Sequence, residues 1–300
     1  MPEKKYIIGI DIGGTTFSAA LFDEELQTLK QSERSLIADY THRESLTDAL
    51  ADQAHSLFSG KFSKQQLLGV GISCPGPLDA RTGVILDTPN LTIYRNYAIA
   101  KEMKARLDLP VVIENDANLF AMGEWVELFT DELKVLVGIT LGSGTGFGII
   151  INGDLFTGAH GMGAEYGISP VQWGRWEEGI NIKYLMDEAS SRLNKPSTPA
   201  ELCQMADRDD QAAQAIWSEY GHRVGLFLAH AVNMLDPDII SIGGGISNAW
   251  RHFQAPMLKT IARHAPAFDY YGTRVLESAQ KEFSSIRGAA MLVKKYIGHS

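Results

Sequence analysis

The chain has 300 residues, 45% of them hydrophobic, and a formal net charge of −9 at pH 7, so it can bury a large core and favours two domains over one. The acidic balance, without any cluster of Lys and Arg interleaved with aromatic residues, disfavours a nucleic-acid-binding surface. The two cysteines, Cys74 and Cys203, lie outside any CxxC motif, which argues against a disulfide framework and indicates a reducing cytoplasm.

The first part of the chain alternates predicted strands and helices. Apolar runs predict strands at Tyr6–Ile12, Thr16–Asp23, Thr28–Ser35, Leu67–Ser73 and Pro110–Glu114. Helices are predicted at Arg43–Phe58, at Tyr97–Leu107 and from the polar run 115–118 to about Leu128. The N-terminal lysines lead straight into a strand interrupted by Asp11, so no signal peptide is expected.

The second part repeats this alternation, beginning with a strand hairpin at 135–151. Gly, Ser and Thr interrupt that apolar run, so two strands fit it better than a membrane span. Further helices are predicted at about Glu177–Arg192, Gln211–Leu235, Trp250–His264 and Ile286–Ile297, and strands at Asp238–Ile242 and Thr273–Leu276. We expect an N-terminal α/β domain at 1–115 and a C-terminal α/β domain at 116–285. The last helix, at about 286–300, should pack back on the first domain, with a ligand cleft between the two.

Two glycine hairpins of the same design lie about half a chain apart. Without a Cβ atom, glycine allows left-handed backbone and lets successive N–H groups face one anion, while Thr and Ser hydroxyls add donors. Each hairpin alone could equally be an ordinary tight turn. Together they predict two related lobes that bind one phosphate chain from opposite sides. The residues concerned are Gly13, Gly14, Thr15 and Thr16 in the first turn and Gly142, Ser143, Gly144 and Thr145 in the second.

Two aspartates are candidates for chemistry on that phosphate chain. Asp116 follows a predicted strand at its carboxyl end, where open α/β folds place ligands, and it could accept a hydroxyl proton in phosphoryl transfer. An equally good interpretation makes it only a helix N-cap. Asp11 lies within the first hairpin, where a metal ion carried by nucleotide phosphates could compensate its charge. The alternative partner for Asp11 is a set of turn amides.

A third glycine cluster, Gly243-Gly244-Gly245, follows the predicted strand that ends at Ile242. Three glycines let a flat ring or a ribose approach the backbone closely. The cluster does not match GxGxxG with an acid about twenty residues on, and GxxxxGK[ST] is absent from the sequence. A dinucleotide fold is therefore disfavoured, and any ATP site is not a P-loop.

Several motifs occur in register over nearly the whole chain. They are DIGGTT at 11–16, GISCPGPLD at 71–79, PNL at 89–91, NDAN at 115–118 with Gly123-Glu124, LGSGTG at 141–146, GAHG at 158–161, Asp236-Pro237 and GGGI at 243–246. Together they resemble the ROK family of sugar kinases and sugar-responsive repressors. The resemblance implies the actin-like, hexokinase-like (ribonuclease H-like) two-domain ATPase fold. It also implies ATP and Mg²⁺, with transfer of the γ-phosphoryl group to a sugar hydroxyl, usually that on C6.

The same resemblance implies a role for each matching residue. Asp116 is the general base, and Asp11 lies near the nucleotide-bound Mg²⁺. The sugar-binding residues are Gly76, Asn90, Asn115, Glu165 and Glu177, with Glu178 as the alternative to Glu177. The ATP-binding residues are Asp11, the turns 13–16 and 142–145, and Gly244 and Gly245, which lie by the nucleoside.

The chain departs from the family pattern where most members bind zinc. Ala164-Glu165-Tyr166-Gly167-Ile168 lacks the His of the G-E-x-G-H stretch, and 173–178 lacks every Cys of the CxCGxxGCxE cluster. No zinc is expected there, because tetrahedral zinc needs those N and S ligands. Trp173 and Trp176 are candidate anchors for the loop instead. In relatives that His also contacts sugar hydroxyls near C1 and C2. With Ile168 in its place, either substituted sugars are accepted alongside, or ahead of, free glucose, or Glu165 and Glu177 suffice and a free hexose remains the substrate.

The resemblance leaves two branches of the family, kinases and repressors, and one rival function. Repressors of the family carry a helix-turn-helix domain before the first glycine strand, and only five residues precede Tyr6, so DNA binding is not expected. The rival is a non-catalytic sugar sensor or a partner-binding actin-like protein, which would not need the intact NDAN at 115–118. The sequence therefore favours a cytoplasmic, homodimeric ATP-dependent sugar kinase that binds no nucleic acid and no membrane.

Overall fold

The computed structural model describes residues 4–281 and 283–298. It divides into two compact units, one formed by the chain up to Phe129 together with the C-terminal helix, and one formed by residues 130–281. The contact-based division thus lies after Phe129, whereas the sequence suggested a boundary after Asn115. The helix between these positions belongs to the first unit because its buried face packs on the C-terminal helix.

The first unit is built on a six-stranded mixed sheet. Its strands are β1 (Tyr6–Ile12), β2 (Thr16–Asp23), β3 (Thr28–Gln31), β4 (Ser35–Leu36), β5 (Leu67–Cys74) and, after the small hairpin of β6 (Leu78–Asp79) and β7 (Val84–Ile85), β8 (Val111–Asn115). The sheet order is β3-β2-β1-β5-β8, with β4 paired to β2. β1 and β2 are antiparallel, whereas β1, β5 and β8 are mutually parallel. Their carboxyl ends therefore meet at one edge.

Helices cover this sheet, namely α1 (Arg43–Phe58), α2 (Ile99–Leu107), α3 (Asp116–Leu128) and, from the end of the chain, the helix Phe283–Tyr296. Backbone approaches backbone where α3 meets that last helix. A Cβ atom at Gly123 would overlap the carbonyl oxygen of Ser284, and one at Gly288 would overlap that of Leu119. The buried carboxylate of Glu124 accepts a hydrogen bond from the hydroxyl of Ser284. The middle of α3 is therefore packed closely against the C-terminal helix, within the first unit.

The second unit contains a five-stranded sheet in the order β11-β10-β9-β14-β15. The elements of this unit are β9 (Val135–Leu141), β10 (Thr145–Ile151), β11 (Asp154–Leu155), β12 (Pro170–Val171), β13 (Gly174–Arg175), α4 (Ile182–Leu193), α5 (Pro199–Asp207), α6 (Gln211–Leu235), β14 (Ile239–Gly243), α7 (Trp250–His264), α8 (Pro266–Tyr271) and β15 (Arg274–Glu277). The C-terminal helix Phe283–Tyr296 is α9. Buried Trp217, Tyr220 and Phe227 of α6 pack in the core of this unit.

Three helices differ clearly from the sequence prediction, and one of them, α8 (Pro266–Tyr271), was not predicted. α4 begins at Ile182 rather than near Glu177, because a 3-10 turn at Glu177–Gly179 precedes it and Asn181 provides the N-cap. α5 was not predicted either, although Thr198 forms a capping box with Glu201 and Pro199 occupies the first turn. Among the residues described, no helix combines the length and apolar character needed to cross a bilayer.

Candidate active site

The carboxyl ends of three parallel strands bring the acidic candidates of the first unit together. In strand register, Asp11 of β1 lies beside Ser73 of β5, and Ser73 lies beside Glu114 of β8. The Ser73 hydroxyl donates a 2.7 Å hydrogen bond to Oδ1 of Asp11. Burial raises the pKa of the Cys74 thiol, and the nearby carboxylates of Asp116, Asp11 and Glu114 raise it further. The strand ends thus gather three carboxylates around one buried, neutral thiol.

Asn115, not Asp116, is the N-cap of α3. Its Oδ1 accepts hydrogen bonds from the backbone N–H groups of Ala117, at 2.9 Å, and Asn118, at 3.4 Å. Asp116 is the first helical residue and is half-buried, and its Oδ1 accepts from the N–H of Ala117 at 2.8 Å. Burial raises the pKa of the Asp116 carboxyl, while backbone N–H donors act in the opposite direction. The carboxylate is therefore placed at the helix start without serving as its cap.

Glu114 organises this strand-to-helix turn, a role that the sequence did not suggest. Its Oε1 accepts from the backbone N–H of Asn115 at 2.8 Å and from Nδ2 of Asn118 at 3.1 Å. Glu114 and Asn118 are both buried, and burial raises the pKa of Glu114. Two residues of the NDAN run are thus fixed by one buried carboxylate. The alternation of strand and turn residues gives no signal for such a contact, which depends on side-chain packing.

The first glycine turn is closed by a hydrogen bond from the N–H of Gly13 to the carbonyl of Thr16, at 2.8 Å. Gly14 and Thr15 are exposed, and Gly13 and Thr16 are half-buried. Neither glycine adopts the left-handed conformation that the sequence argument invoked. A Cβ atom at Gly14 would instead lie 3.0 Å from the carbonyl oxygen of Asn90, so the absence of a side chain permits close packing with that loop.

The candidate sugar-binding residues of the first unit lie in loops beside this strand edge. A Cβ atom at Gly76 would lie 2.9 Å from Nδ2 of Asn115, so glycine makes room for that amide. Because Oδ1 of Asn115 serves the helix cap, its Nδ2 donor is the part of the side chain that remains for a ligand. Asn90 is exposed. The structure therefore brings Gly76 and Asn115 together, and the backbone of Asn90 close to Gly14.

In the second unit, the turn between β9 and β10 is closed by a hydrogen bond from the N–H of Gly142 to the carbonyl of Gly144, at 3.0 Å. Its glycines also lie outside the left-handed region. Nothing lies within 4 Å of the position that a Cβ atom would take at Gly142, and Ser143 is exposed. The Thr145 hydroxyl oxygen is buried without a hydrogen-bond partner in the described part of the chain. This turn thus offers open backbone and one unused buried hydroxyl.

Glu177 and the segment after Glu165 both approach this turn. A Cβ atom at Gly144 would lie 3.2 Å from Oε2 of Glu177, and one at Gly167 would lie 2.5 Å from the carbonyl oxygen of Thr145. Glu165 is exposed and directly precedes the 3-10 turn Tyr166–Ile168. Glu177 therefore borders the candidate phosphate turn as well as being a candidate for sugar binding.

Aromatic packing holds the segment 173–178, where the sequence lacks the cysteines of a zinc site. Trp176 is buried, with its ring 5.6 Å from that of Phe227 and 5.4 Å from that of His230, both on α6. Trp173 contacts the edge of Trp176 at 5.5 Å and stacks on the guanidinium of Arg223 at 5.1 Å. These contacts fit the anchoring role suggested for the two tryptophans.

Gly244 and Gly245, in the glycine cluster at the end of β14, have different surroundings. Gly244 has φ +84°, and a Cβ atom there would lie 2.6 Å from the backbone nitrogen of Leu141. Gly244 is therefore required by the packing of β14 on β9. Gly245 is exposed, and nothing lies within 4 Å of its Cβ position. Of these two glycines, Gly245 is thus the one that leaves space for a ligand.

Comparison with known proteins shows which family the chain resembles. The model of the ROK family matches residues 7–296. The glucokinase of Thermotoga maritima is 30% identical over 99% of this chain and 100% of that protein. The N-acetyl-D-glucosamine kinase of Escherichia coli is 28% identical over 95% of this chain and 98% of that protein. The crystal structure of a ROK family glucokinase from Streptomyces griseus in complex with glucose and AMPPNP has a TM-score of 0.79 and 27% identity, covering 97% of this chain and 99% of that one.

The fold and the repeated glycine hairpins define the class as α/β proteins with the actin-like two-domain fold, as the sequence predicted. Within that class, the chain belongs to the ROK family, because the family model spans nearly all of it.

Proposed function

We propose that this protein is an ATP-dependent sugar kinase that transfers the γ-phosphoryl group to the C6 hydroxyl of a hexose or hexose derivative, with Asp116 as the general base. The relatives reported above include a glucokinase and an N-acetyl-D-glucosamine kinase, and one similar structure contains glucose and AMPPNP. These relatives support sugar phosphorylation as the reaction class. The choice of C6 rests on the resemblance to the family, and that of Asp116 on its position at the start of α3.

The proposal rests mainly on the different roles of Asn115 and Asp116 at the start of α3. Since Asn115 caps α3, the carboxylate of Asp116 is available at the edge where parallel strands end. Its raised pKa makes it a stronger base than an exposed aspartate. In phosphoryl transfer, one carboxylate that accepts the proton of the attacking hydroxyl is the main protein base required. Asp116 would remove that proton as the hydroxyl oxygen attacks.

The residues of the glycine turns fit ATP and Mg²⁺. Open space above Gly142 and Gly245 allows phosphate and nucleoside groups to approach the backbone, and the Thr145 hydroxyl offers an unused donor. Asp11, oriented by Ser73, presents the hard oxygen ligand that Mg²⁺ prefers. When bound, the nucleotide supplies the phosphoryl group and the metal ion neutralises its charge. The turns 13–16 and 142–145 would bind phosphates, and Gly244 would keep Gly245 in place beside the nucleoside.

Polar residues of several loops would bind the sugar. Asn115 can act there as a donor through Nδ2, whereas Glu165 and Glu177 can accept hydrogen bonds from sugar hydroxyls. Gly76 and Asn90 would complete the set. We propose a free hexose as the principal substrate. The exposed side chain of Ile168 offers an apolar surface rather than a donor, so discrimination against substituted sugars should be weak.

A coupled assay of ADP release over a panel of sugars tests the proposal. The panel should include glucose, mannose, fructose, allose, the N-acetyl sugars and β-glucosides. We expect ATP turnover that requires one of these sugars and yields a sugar 6-phosphate, identified by phosphorus NMR. ATP hydrolysis that ignores every sugar, or sugar binding without turnover, would instead favour the actin-like sensor.

We also propose that the protein is a cytoplasmic homodimer. The adjacent side chains of Tyr270 and Tyr271 are both more than 80% exposed, so they offer apolar surface to a partner. Light scattering after size-exclusion chromatography measures the oligomeric state, and fractionation of the source cells measures the location. A monomer at micromolar concentration would contradict the proposed dimer.

A further inference from the structure

Helices α5 and α7 of the second unit bring together three side chains that are typical metal ligands. Cys203 and Asp207 lie one turn apart on α5, and His252 faces them from α7. One sulfur, one carboxylate oxygen and one imidazole nitrogen of these residues all lie within 4.8 Å of one another. None of the three belongs to the residues proposed to bind the sugar or ATP.

The imidazole of His252 is well oriented for such a role. Its Nε2 lies 2.9 Å from Oδ1 of Asp207, and its side chain is only 14% exposed. The ring stacks on that of buried Trp217, with centroids 6.4 Å apart and an interplanar angle of 22°. Packing against Trp217 therefore directs Nε2 towards α5. In metal sites, surrounding residues fix the orientation of the ligand side chains in the same way.

A cation already occupies the space between these ligands. The guanidinium of Arg251 donates to both carboxylate oxygens of Asp207, at 2.9 and 2.5 Å, and its Nη2 lies 3.3 Å from Sγ of Cys203. The Arg251 side chain is 55% exposed, so it can turn into solvent without disturbing a core. The cluster therefore attracts positive charge, and its present occupant is replaceable.

We propose that Cys203, Asp207 and His252 form a binding site for a borderline-soft divalent cation such as Zn²⁺, which displaces Arg251. Sulfur, nitrogen and oxygen ligands in a group of three, with a water molecule in the fourth position, suit tetrahedral zinc. Binding releases the thiol proton of Cys203 to solvent and requires the ring proton of His252 to reside on Nδ1, which leaves the lone pair of Nε2 for the metal. Thiolate and carboxylate charges then balance the two positive charges of the ion.

Metal titration of the purified full-length protein tests the site without reference to catalysis. Co²⁺ added to metal-free protein should produce the near-ultraviolet sulfur-to-cobalt charge-transfer band of a thiolate complex. Zn²⁺ should bind with one equivalent by calorimetry and abolish that band. Cys203→Ser should lose the band and weaken Zn²⁺ binding about 100-fold, and His252→Gln should weaken it about 10-fold to 100-fold. Melting temperatures without metal show that each variant is folded.

Two further variants show whether the thiolate ligand is Cys203 and whether Arg251 competes with the metal. Arg251→Met should tighten Zn²⁺ binding by roughly 5-fold to 10-fold, because the competing positive charge is removed. Cys74→Ser is the matched control and should keep the band, since Cys74 is fully buried in the first unit. Elemental analysis of Zn²⁺-treated Cys203→Ser should find no stoichiometric zinc, because 164–178 lacks the family's ligands. The absence of a band in both wild type and Arg251→Met, or its loss in Cys74→Ser alone, would overturn the proposal.

Discussion

Asn115 caps helix α3 through its side-chain oxygen, and the adjacent Asp116 is thereby left as the first helical residue with its carboxylate at the strand edge. Asn115 therefore serves the fold as the cap, whereas Asp116 remains available for the proposed role of general base. Substitution of Asp116 should therefore affect turnover far more than folding.

Asp116→Asn should lower kcat by about 10²-fold to 10⁴-fold, the usual contribution of a positioned general base. Asparagine has nearly the same shape, and Asn115 still caps α3, so the melting temperature and the affinity for ATP should change little. Steady-state kinetics with the best sugar and calorimetry with an ATP analogue measure both quantities. If the variant keeps more than half of the wild-type kcat, Asp116 is not the base.

The pH dependence of kcat/KM should report the same carboxyl. Burial raises the pKa of Asp116, and the base acts only when it is deprotonated, so activity should fall as the pH decreases through this raised pKa. The acid limb should lie at higher pH than that of an exposed aspartate. The residual activity of Asp116→Asn provides the control, because it should lack this limb. An unchanged acid limb in that variant would assign the titration to another group.

The neighbouring glycines Gly244 and Gly245 should respond differently to alanine. Gly244→Ala should lose at least about 1–2 kcal/mol of unfolding free energy, because its backbone is left-handed and a methyl group would press on Leu141. Gly245→Ala has space and should change stability by less than about 0.5 kcal/mol. A methyl group in the nucleoside contact should raise KM for ATP roughly tenfold. Denaturant unfolding and ATP kinetics distinguish the two, and equal effects on both measurements would contradict the assignment.

Trp176 and Trp173 provide a second matched pair. Trp176→Ala should cost about 3–5 kcal/mol and raise KM for the sugar, because it removes a buried ring packed on Phe227 and His230. Trp173→Ala should cost only about 1 kcal/mol, since Trp173 is 41% exposed and mainly stacks on Arg223. Thermal and denaturant unfolding of the two variants measure the difference. Similar losses would show that packing around Trp176 does not anchor this loop.

The sequence predicts most of the strands and long helices because their apolar runs are continuous and their caps are distinct. It misses α5, whose signal is the short run Thr198–Glu201, and it attributes the wrong backbone conformation to the turn glycines. The hydrogen bond from Ser73 to Asp11 depends on strand register, which no local pattern specifies. The contacts of Glu114 depend likewise on side-chain packing at the start of α3. Motifs thus locate candidate residues, whereas the tertiary structure decides which atoms remain available.

Ile168 stands where the family pattern carries histidine. Its side chain is 47% exposed and carries no hydrogen-bond donor. Apolar contacts discriminate between sugars by only about 10-fold to 200-fold, whereas a site built to hydrogen-bond a hydroxyl rejects analogues by about 10⁴-fold or more. We therefore expect kcat/KM for some 2-modified or C1-substituted sugars to lie within about 200-fold of that for glucose.

Values of kcat/KM for glucose, fructose, N-acetylmannosamine and cellobiose decide this prediction. Ile168→His should restore a donor and increase the preference for free glucose, whereas Ile168→Val keeps the surface apolar and should leave the ratio unchanged. A wild-type preference for free glucose above roughly 1,000-fold over every substituted sugar exceeds what an apolar contact supplies. That result would mean that Glu165 and Glu177 alone enforce recognition near C1 and C2, and that the loss of the histidine has no effect on substrate choice.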